Sequence, residues 1–133
     1  MDESMVMVCM QIITNTGSAK SSYIEAIQKA KKGDLGGAEI SMNEGDDLYA
    51  QAHEVHTSLI QKEASGEKTE FSLILMHAED QMASTEMAKV MAREFIELYR
   101  EMKESLTRFD KRKGNNSNRK KKRKPENNSM KEK

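Results

Sequence analysis

From Phe71 to Phe109, apolar or small residues return every three or four positions without a break: Phe71, Ile74, Ala78, Gln81, Thr85, Ala88, Ala92, Phe95, Tyr99, Met102, Leu106 and Phe109. Only an α-helix brings such a series onto one side. A helix of about 40 residues is roughly 60 Å long. That is too long to curl within a small globule, so the rest of the chain has to lie along it as further long helices. Two earlier segments answer that demand. From about Ser4 to Lys32 the series Met5, Cys9, Ile12, Thr16, Ala19, Tyr23, Ala26 and Ala30 has the same spacing. Lys29, Lys31 and Lys32 crowd its last turn, where the helix dipole favours cations, and Gly33 supplies a stop. Gly17, in mid-helix, costs about 1 kcal/mol relative to Ala and implies close packing or a bend.

Asp34 can cap the next helix, from about Leu35 to Ala64. Its seam reads Leu35, Ala38, Met42, Gly45, Tyr49, Ala52, His56 and Leu59, and Ser65-Gly66 ends it. The third helix begins near Thr69, a candidate N-cap, and runs to about Phe109. The low content of breakers, with seven Gly and one Pro, agrees with an all-α chain. Three long helices with short connections make an up-down-up antiparallel bundle over residues 1–110.

The third helix carries a second stripe, Leu73, His77, Asp80, Ser84, Met87, Met91 and Leu98. One apolar stripe is enough for a helix in a small bundle, so the second asks for another partner. With eleven Met in the chain, adaptable contact surfaces and self-association are expected, as a dimer or a cyclic trimer.

A formal net charge of zero conceals two segments of opposite sign. Residues 111–133 hold 11 of the 22 Lys+Arg against two acids, a balance of +9; residues 1–110 hold the other 11 against 20 acids, a balance of −9. Like charges, Asn, Gly and Pro give residues 111–133 the composition of a basic disordered tail. Such a tail is either a solvated appendage or a binder of anionic membrane or nucleic acid. No aromatic residue interleaves it, so base stacking is unsupported. No apolar run approaches the ~20 residues that span a bilayer, and Met1-Asp2-Glu3 is acidic, unlike a signal peptide. A soluble cytoplasmic protein is expected. The single cysteine, Cys9, excludes an intrachain disulfide and reads as a small core hydrophobe within the apolar run Met5–Ile13.

Phosphate-binding Gly loops, paired-cysteine metal spacings and Gly-x-Ser-x-Gly elbows are missing from the sequence. His53 and His56, three apart, lack an obvious third metal ligand, and Asp46 and Asp47 read as decoration of a solvated face. The stretch Leu75-Met76-His77-Ala78-Glu79-Asp80-Gln81-Met82 carries more. Asp80 and Gln81, three and four residues on, share the face of His77. His77 is either a core histidine satisfied by a neighbour or a sheltered nucleophile for a transferable group. Asp80, a carboxylate in an apolar stripe, has to be paired, hydrogen-bonded or metal-bound. Three copies meeting at a three-fold axis would call for a cation or a shared proton.

These residues, in this order, resemble the enzyme IIA component of the lactose/cellobiose (N,N'-diacetylchitobiose) class of the bacterial phosphoenolpyruvate-dependent sugar phosphotransferase system. The resemblance rests on Gly17-Ser18-Ala19-Lys20-Ser21, Lys32-Gly33-Asp34, Ala52-His53, Glu63-Ala64-Ser65-Gly66-Glu67, Leu75 to Met82, and Glu97-Leu98-Tyr99. It implies three-helix protomers assembling as a nine-helix homotrimer. It also implies that His77 accepts a phosphoryl group from the phosphohistidine carrier protein and passes it to the cysteine of a cognate IIB component. IIB in turn serves the membrane component IIC during uptake of a β-linked disaccharide, with cellobiose or chitobiose favoured over lactose. Asp80 matches the aspartate at the trimer axis, associated there with a divalent ion, often Mg2+. Two positions depart from the pattern. Gln81 stands where a second histidine is common; it can donate a hydrogen bond to the phosphorylated ring but cannot act as a cation. Glu79 stands at an often uncharged position, where its charge would disfavour a phosphohistidine. From a different class, the alternative is a helical adaptor whose basic tail binds nucleic acid or anionic membrane.

Overall fold

Asp2 starts the first helix. Its carboxylate accepts a hydrogen bond from the Met5 N–H at 2.8 Å, and helix α1 follows as Glu3–Lys31. Gly33 then takes φ 87°, a left-handed conformation that L side chains resist, and turns the chain. Asp34 restarts it: its carboxylate accepts from the Gly37 N–H at 2.9 Å, opening α2, Leu35–Ala64. A Cβ on Gly37 would press on that carboxylate, so Asp34 would have to shift to cap any other residue there. Gly66, at φ 99°, closes the second turn. Helix α3 is Leu73–Lys122. The computed structural model describes residues 1–123 and 125, and among them there is no β-strand.

Two expectations about α3 are corrected. It begins at Leu73, not near Thr69, because the Ser72 hydroxyl accepts from the Leu75 N–H at 3.1 Å and the Ser72 carbonyl from the Met76 N–H at 3.0 Å. It also runs past Phe109 to Lys122, so residues 111–122 of the expected disordered tail are helical. Lys and Arg are good helix formers, and cations in the last turn, Arg119 to Lys122, complement the dipole there. The remainder of that tail, apart from Arg123 and Pro125, lies outside the described residues.

The chain divides into two units, Met1–Arg100 and Glu101–Lys133. Within the first, polar contacts fix the helix directions. Tyr23 meets Asp46 and Lys29 meets Ser41, so α1 and α2 are antiparallel. His56 meets Glu79 while Glu39 meets Arg100, so α2 and α3 are antiparallel as well. Up-down-up topology results, as the short turns demand.

The core has two apolar layers. Ala19, Tyr23, Ala26, Ala30, Ala38, Met42, Ala92 and Ile96 form one; Cys9, Ile12, Ala52, Leu59, Ala78 and Met82 form the other. Alanines at the seam let the helices approach closely. Gly45 lies against the buried Tyr23 ring, where a Cβ would fall 2.6 Å from a ring carbon. Three buried polar side chains are each hydrogen-bonded: Thr16 donates to its own helix at the Ile12 carbonyl (2.8 Å), Thr85 donates across to the Thr16 carbonyl (3.3 Å), and Ser41 accepts from Lys29 (2.8 Å). Burial pushes the Cys9 thiol above its ordinary value, with a smaller push from the Glu79 charge. Nothing lies within 4 Å of a Cβ built on Gly17, so the expected close packing there is not found within the protomer.

The register of α3 differs by one residue at alternate turns from the expected stripe. Ala78, Thr85 and Ala92 are buried as anticipated, but Met82 and Ile96 occupy the core in place of Gln81 and Phe95. Lys89 falls at the corresponding position between them. It keeps its charge on the protein surface through Asp46, at 3.1 Å.

The second unit contains the end of α3. Its described residues, 101–123 and 125, are all exposed, and the Lys113 ammonium sits 4.8 Å from the centre of the Phe109 ring.

Candidate functional site

Helix α3 starts after the Ser72 cap, so His77 lies in its second turn with Asp80 and Gln81 one turn further on the same side. His77 and Asp80 are exposed and Gln81 is half-buried. His77 is therefore not a core histidine, and in one protomer it is not sheltered either. The apolar side chains around it are open to solvent, with Leu73 79%, Met76 47% and Met87 61% exposed.

Two side chains from other helices reach this turn, and the sequence reading singled out neither contact. Lys20, on α1, donates from Nζ to Gln81 Oε1 at 3.2 Å and to Ser84 Oγ at 2.8 Å. With its carbonyl oxygen engaged by the ammonium, Gln81 keeps its amide N–H groups as donors. A cation thus stands directly against Gln81. Glu79 is turned the other way: both of its carboxylate oxygens meet His56 Nε2 on α2, at 2.7 and 2.8 Å. The Glu79 carboxylate is thus engaged across the α2–α3 groove. His53, one turn before, tilts against the Tyr49 ring with centroids 6.1 Å apart.

Asp46 is a further correction. Expected as a solvated decoration, it accepts from the buried Tyr23 hydroxyl at 2.8 Å and pairs with Lys89 at 3.1 Å and Arg93 at 3.0 Å, joining all three helices. Burial alone would raise its pKa. The Tyr23 and Lys89 hydrogen bonds and the charges of Lys89 and Arg93 outweigh it and hold the carboxyl below its ordinary value. Burial and that carboxylate in turn push the Tyr23 hydroxyl well above its own. The readable signal was the spacing: Asp46 follows Gly45 on the seam, beside the core rather than opposite it.

Among the described residues of one protomer, no three His, Cys, Asp or Glu side chains are grouped to hold a metal ion. His53 and His56 do not form such a site. Among the described residues Asp80 has no ion-pair partner, so it offers one carboxylate group as a donor. An axial ion would draw one Asp80 from each of several protomers, a donor set whose oxygen chemistry suits Mg2+.

The all-α bundle thus displays a histidine on an open helix face, among the exposed Met76, Met87 and Met91. Residues 7–100 match the family model described as the lactose/cellobiose-specific IIA subunit of the phosphotransferase system. The lichenan-specific phosphotransferase enzyme IIA component of Bacillus subtilis is 41% identical over 104 residues, 78% of this chain and 94% of that protein. The lactose-specific EIIA component of Staphylococcus aureus is 32% identical, over 74% of this chain and 95% of its own. Among solved structures, the cellobiose-specific enzyme IIA of Bacillus anthracis superposes with a TM-score of 0.75 at 39% identity, covering 77% of this chain and 94% of that one. The IIA(chitobiose) solved with HPr from the Escherichia coli N,N'-diacetylchitobiose branch gives a TM-score of 0.67 at 33% identity, covering 77% and 99%. The chain belongs to the lactose/cellobiose-specific IIA family of the sugar phosphotransferase system, whose members are phosphotransfer proteins.

Proposed function

We propose that this protein is the phosphocarrier subunit for a β-linked disaccharide, cellobiose or chitobiose before lactose, and that His77 is its phosphoryl acceptor. The observation that carries the reading is the position of His77: exposed on the outer face of α3, within the span that matches the IIA family. A solved relative, IIA(chitobiose), forms a complex with HPr, which supports an HPr-type phosphohistidine carrier as the donor here. In the first transfer the phosphorus–nitrogen bond of the donor histidine breaks as one forms to the unprotonated nitrogen of His77. In the second, a IIB cysteine thiolate takes the same group, and His77 returns to its free form. Both steps rest on positioning and charge complementarity rather than on further covalent chemistry. The Gln81 amide donates to the phosphorylated ring or to a phosphoryl oxygen, with Lys20 holding it in place.

The reading includes a homotrimer. The exposed apolar side of α3, including Met87, Val90, Met91 and Leu98, is a surface a soluble monomer would rarely leave in water, and burying it between protomers gives His77 the shelter it lacks in one. Asp80 meets its copies at the axis, where Mg2+ would relieve their repulsion. IIC is reached only through IIB, in the cytoplasm.

The test is incubation with phosphoenolpyruvate, enzyme I and the carrier protein, followed by intact mass spectrometry. One acid-labile phosphoryl group per chain is expected on the wild type and none on His77→Ala of unchanged helix content. A phosphorylated His77→Ala would refute the assignment. Sedimentation equilibrium checks the assembly: a dimer would exclude the trimer, and a trimer indifferent to chelators in wild type and Asp80→Leu alike would exclude the axial ion.

A further inference from the structure

We propose that the end of α3, from Met102 to Arg123, is a peripheral membrane-binding element that takes anionic phospholipid headgroups. Eight of the thirteen residues from Lys111 to Arg123 are Lys or Arg, and none is acidic. All are exposed and helical to Lys122. None of these cations pairs with a carboxylate among the described residues, so their charge is left for an external partner.

Beside them lies a short apolar side. Met102, Leu106 and Phe109, spaced by four and three, share one face and are 51%, 64% and 55% exposed. Lys113 continues that face and already rests on the Phe109 ring. A headgroup layer satisfies both groups at once: anionic phosphates take the cations, and the boundary with the acyl chains takes the three apolar side chains. Nucleic acid would satisfy the cations alone. No aromatic residue occurs between Lys111 and Arg123 on which a base could stack; Phe109 offers a single ring, on which Lys113 already rests, and Met102 and Leu106 would stay in water. The contact is peripheral, since no described helix is long and apolar enough to cross a membrane. It stands independently of the role given to His77.

Full-length protein is sedimented with vesicles of mixed phosphatidylglycerol and phosphatidylcholine, and with vesicles of phosphatidylcholine alone, at low and high salt. Binding is expected only to the mixed vesicles and to fall steeply with salt. With about a fivefold factor for each cation at an anionic surface, replacing Lys120, Lys121 and Lys122 together by Gln weakens binding on the order of 100-fold. Phe109→Ala weakens it while leaving the salt dependence in place. No binding to mixed vesicles at low salt, equal binding to phosphatidylcholine, sedimentation without vesicles, or an unaffected triple variant would each overturn the proposal. So would tighter binding to duplex DNA or RNA than to the mixed vesicles.

Discussion

Replacing Asp46 with Ala is expected to strip α1 and α3 of their common anchor on α2. The Tyr23 hydroxyl, on a fully buried ring, loses its side-chain acceptor at 2.8 Å. An orphaned buried donor costs about 1–3 kcal/mol. Lys89 and Arg93 lose ion pairs whose carboxylate is 28% exposed, worth about 0.5 kcal/mol each after solvent screening. Water entering the space left by the carboxylate offsets part of this, so the sum is about 2–3 kcal/mol. For a bundle of this size that lowers Tm by roughly 10–20 °C. Thermal melts by circular dichroism at one fixed protein concentration read it, because self-association would otherwise move Tm. Asp46→Asn keeps an acceptor for Tyr23 and should cost less than half as much. In a Tyr23→Phe background Asp46→Ala should also cost less, since no hydroxyl is orphaned. Equal costs for Ala and Asn, or the same cost of Asp46→Ala with and without the Tyr23 hydroxyl, would refute the assignment. The pH dependence has a fixed sign. The folded carboxyl sits below its ordinary 3.8, so its contribution is complete above that value and fades as pH falls through the lower folded one. The gap in Tm between wild type and Asp46→Asn should narrow only below pH 3.8; a gap already closing near neutrality would contradict it.

Gly45→Ala drives a methyl into the Tyr23 ring, and overpacking of about 1–3 kcal/mol exceeds the roughly 1 kcal/mol gained in helix propensity, so melts should show a net loss. Gly17→Ala, with open space around it, should instead stabilise by up to about 1 kcal/mol, and a loss there would reveal a neighbour from another chain. Ile96→Ala should cost about 2–4 kcal/mol in unfolding, whereas Phe95→Ala, 38% exposed, should chiefly weaken association in sedimentation; the reverse pattern would mean the register of α3 is wrong. Lys20→Met should slow phosphoryl acceptance by His77 with the fold intact, because Gln81 loses its anchor; an unchanged rate would remove Lys20 from the site.

Helix boundaries were most legible where a turn residue and a cap stood together. Lys32-Gly33-Asp34 is a stop and a start in three residues, and both ends of α2 lie where the sequence puts them. The start of α3 was harder, because Thr69 and Ser72 are both acceptable caps and only packing selects between them. Register on α3 was ambiguous for a physical reason. Its apolar side is wide enough for two seams that share Ala78, Thr85 and Ala92, and apolar periodicity does not say which seam meets the other two helices. Lys89 concealed the true one, since a long side chain can lie on a seam and carry its charge out to Asp46. The juxtaposition of His77, Asp80 and Gln81 follows from helix spacing alone. The contacts of Lys20 with Gln81, and of His56 with Glu79, join residues from separate helices and depend on register, so spacing within one helix could not reveal them.

Cys9 makes the protein its own stopwatch. It is the single thiol of the chain and wholly enclosed, and burial raises its pKa, so the closed fold offers reagent neither access nor thiolate. An alkylating agent therefore labels only molecules caught opening, and the labelling rate measures how often they open. Because Cys9 shares its core layer with Ala78 and Met82, the immediate neighbours of His77 and Gln81, a partner that clamps the histidine face would slow the clock without any probe being added.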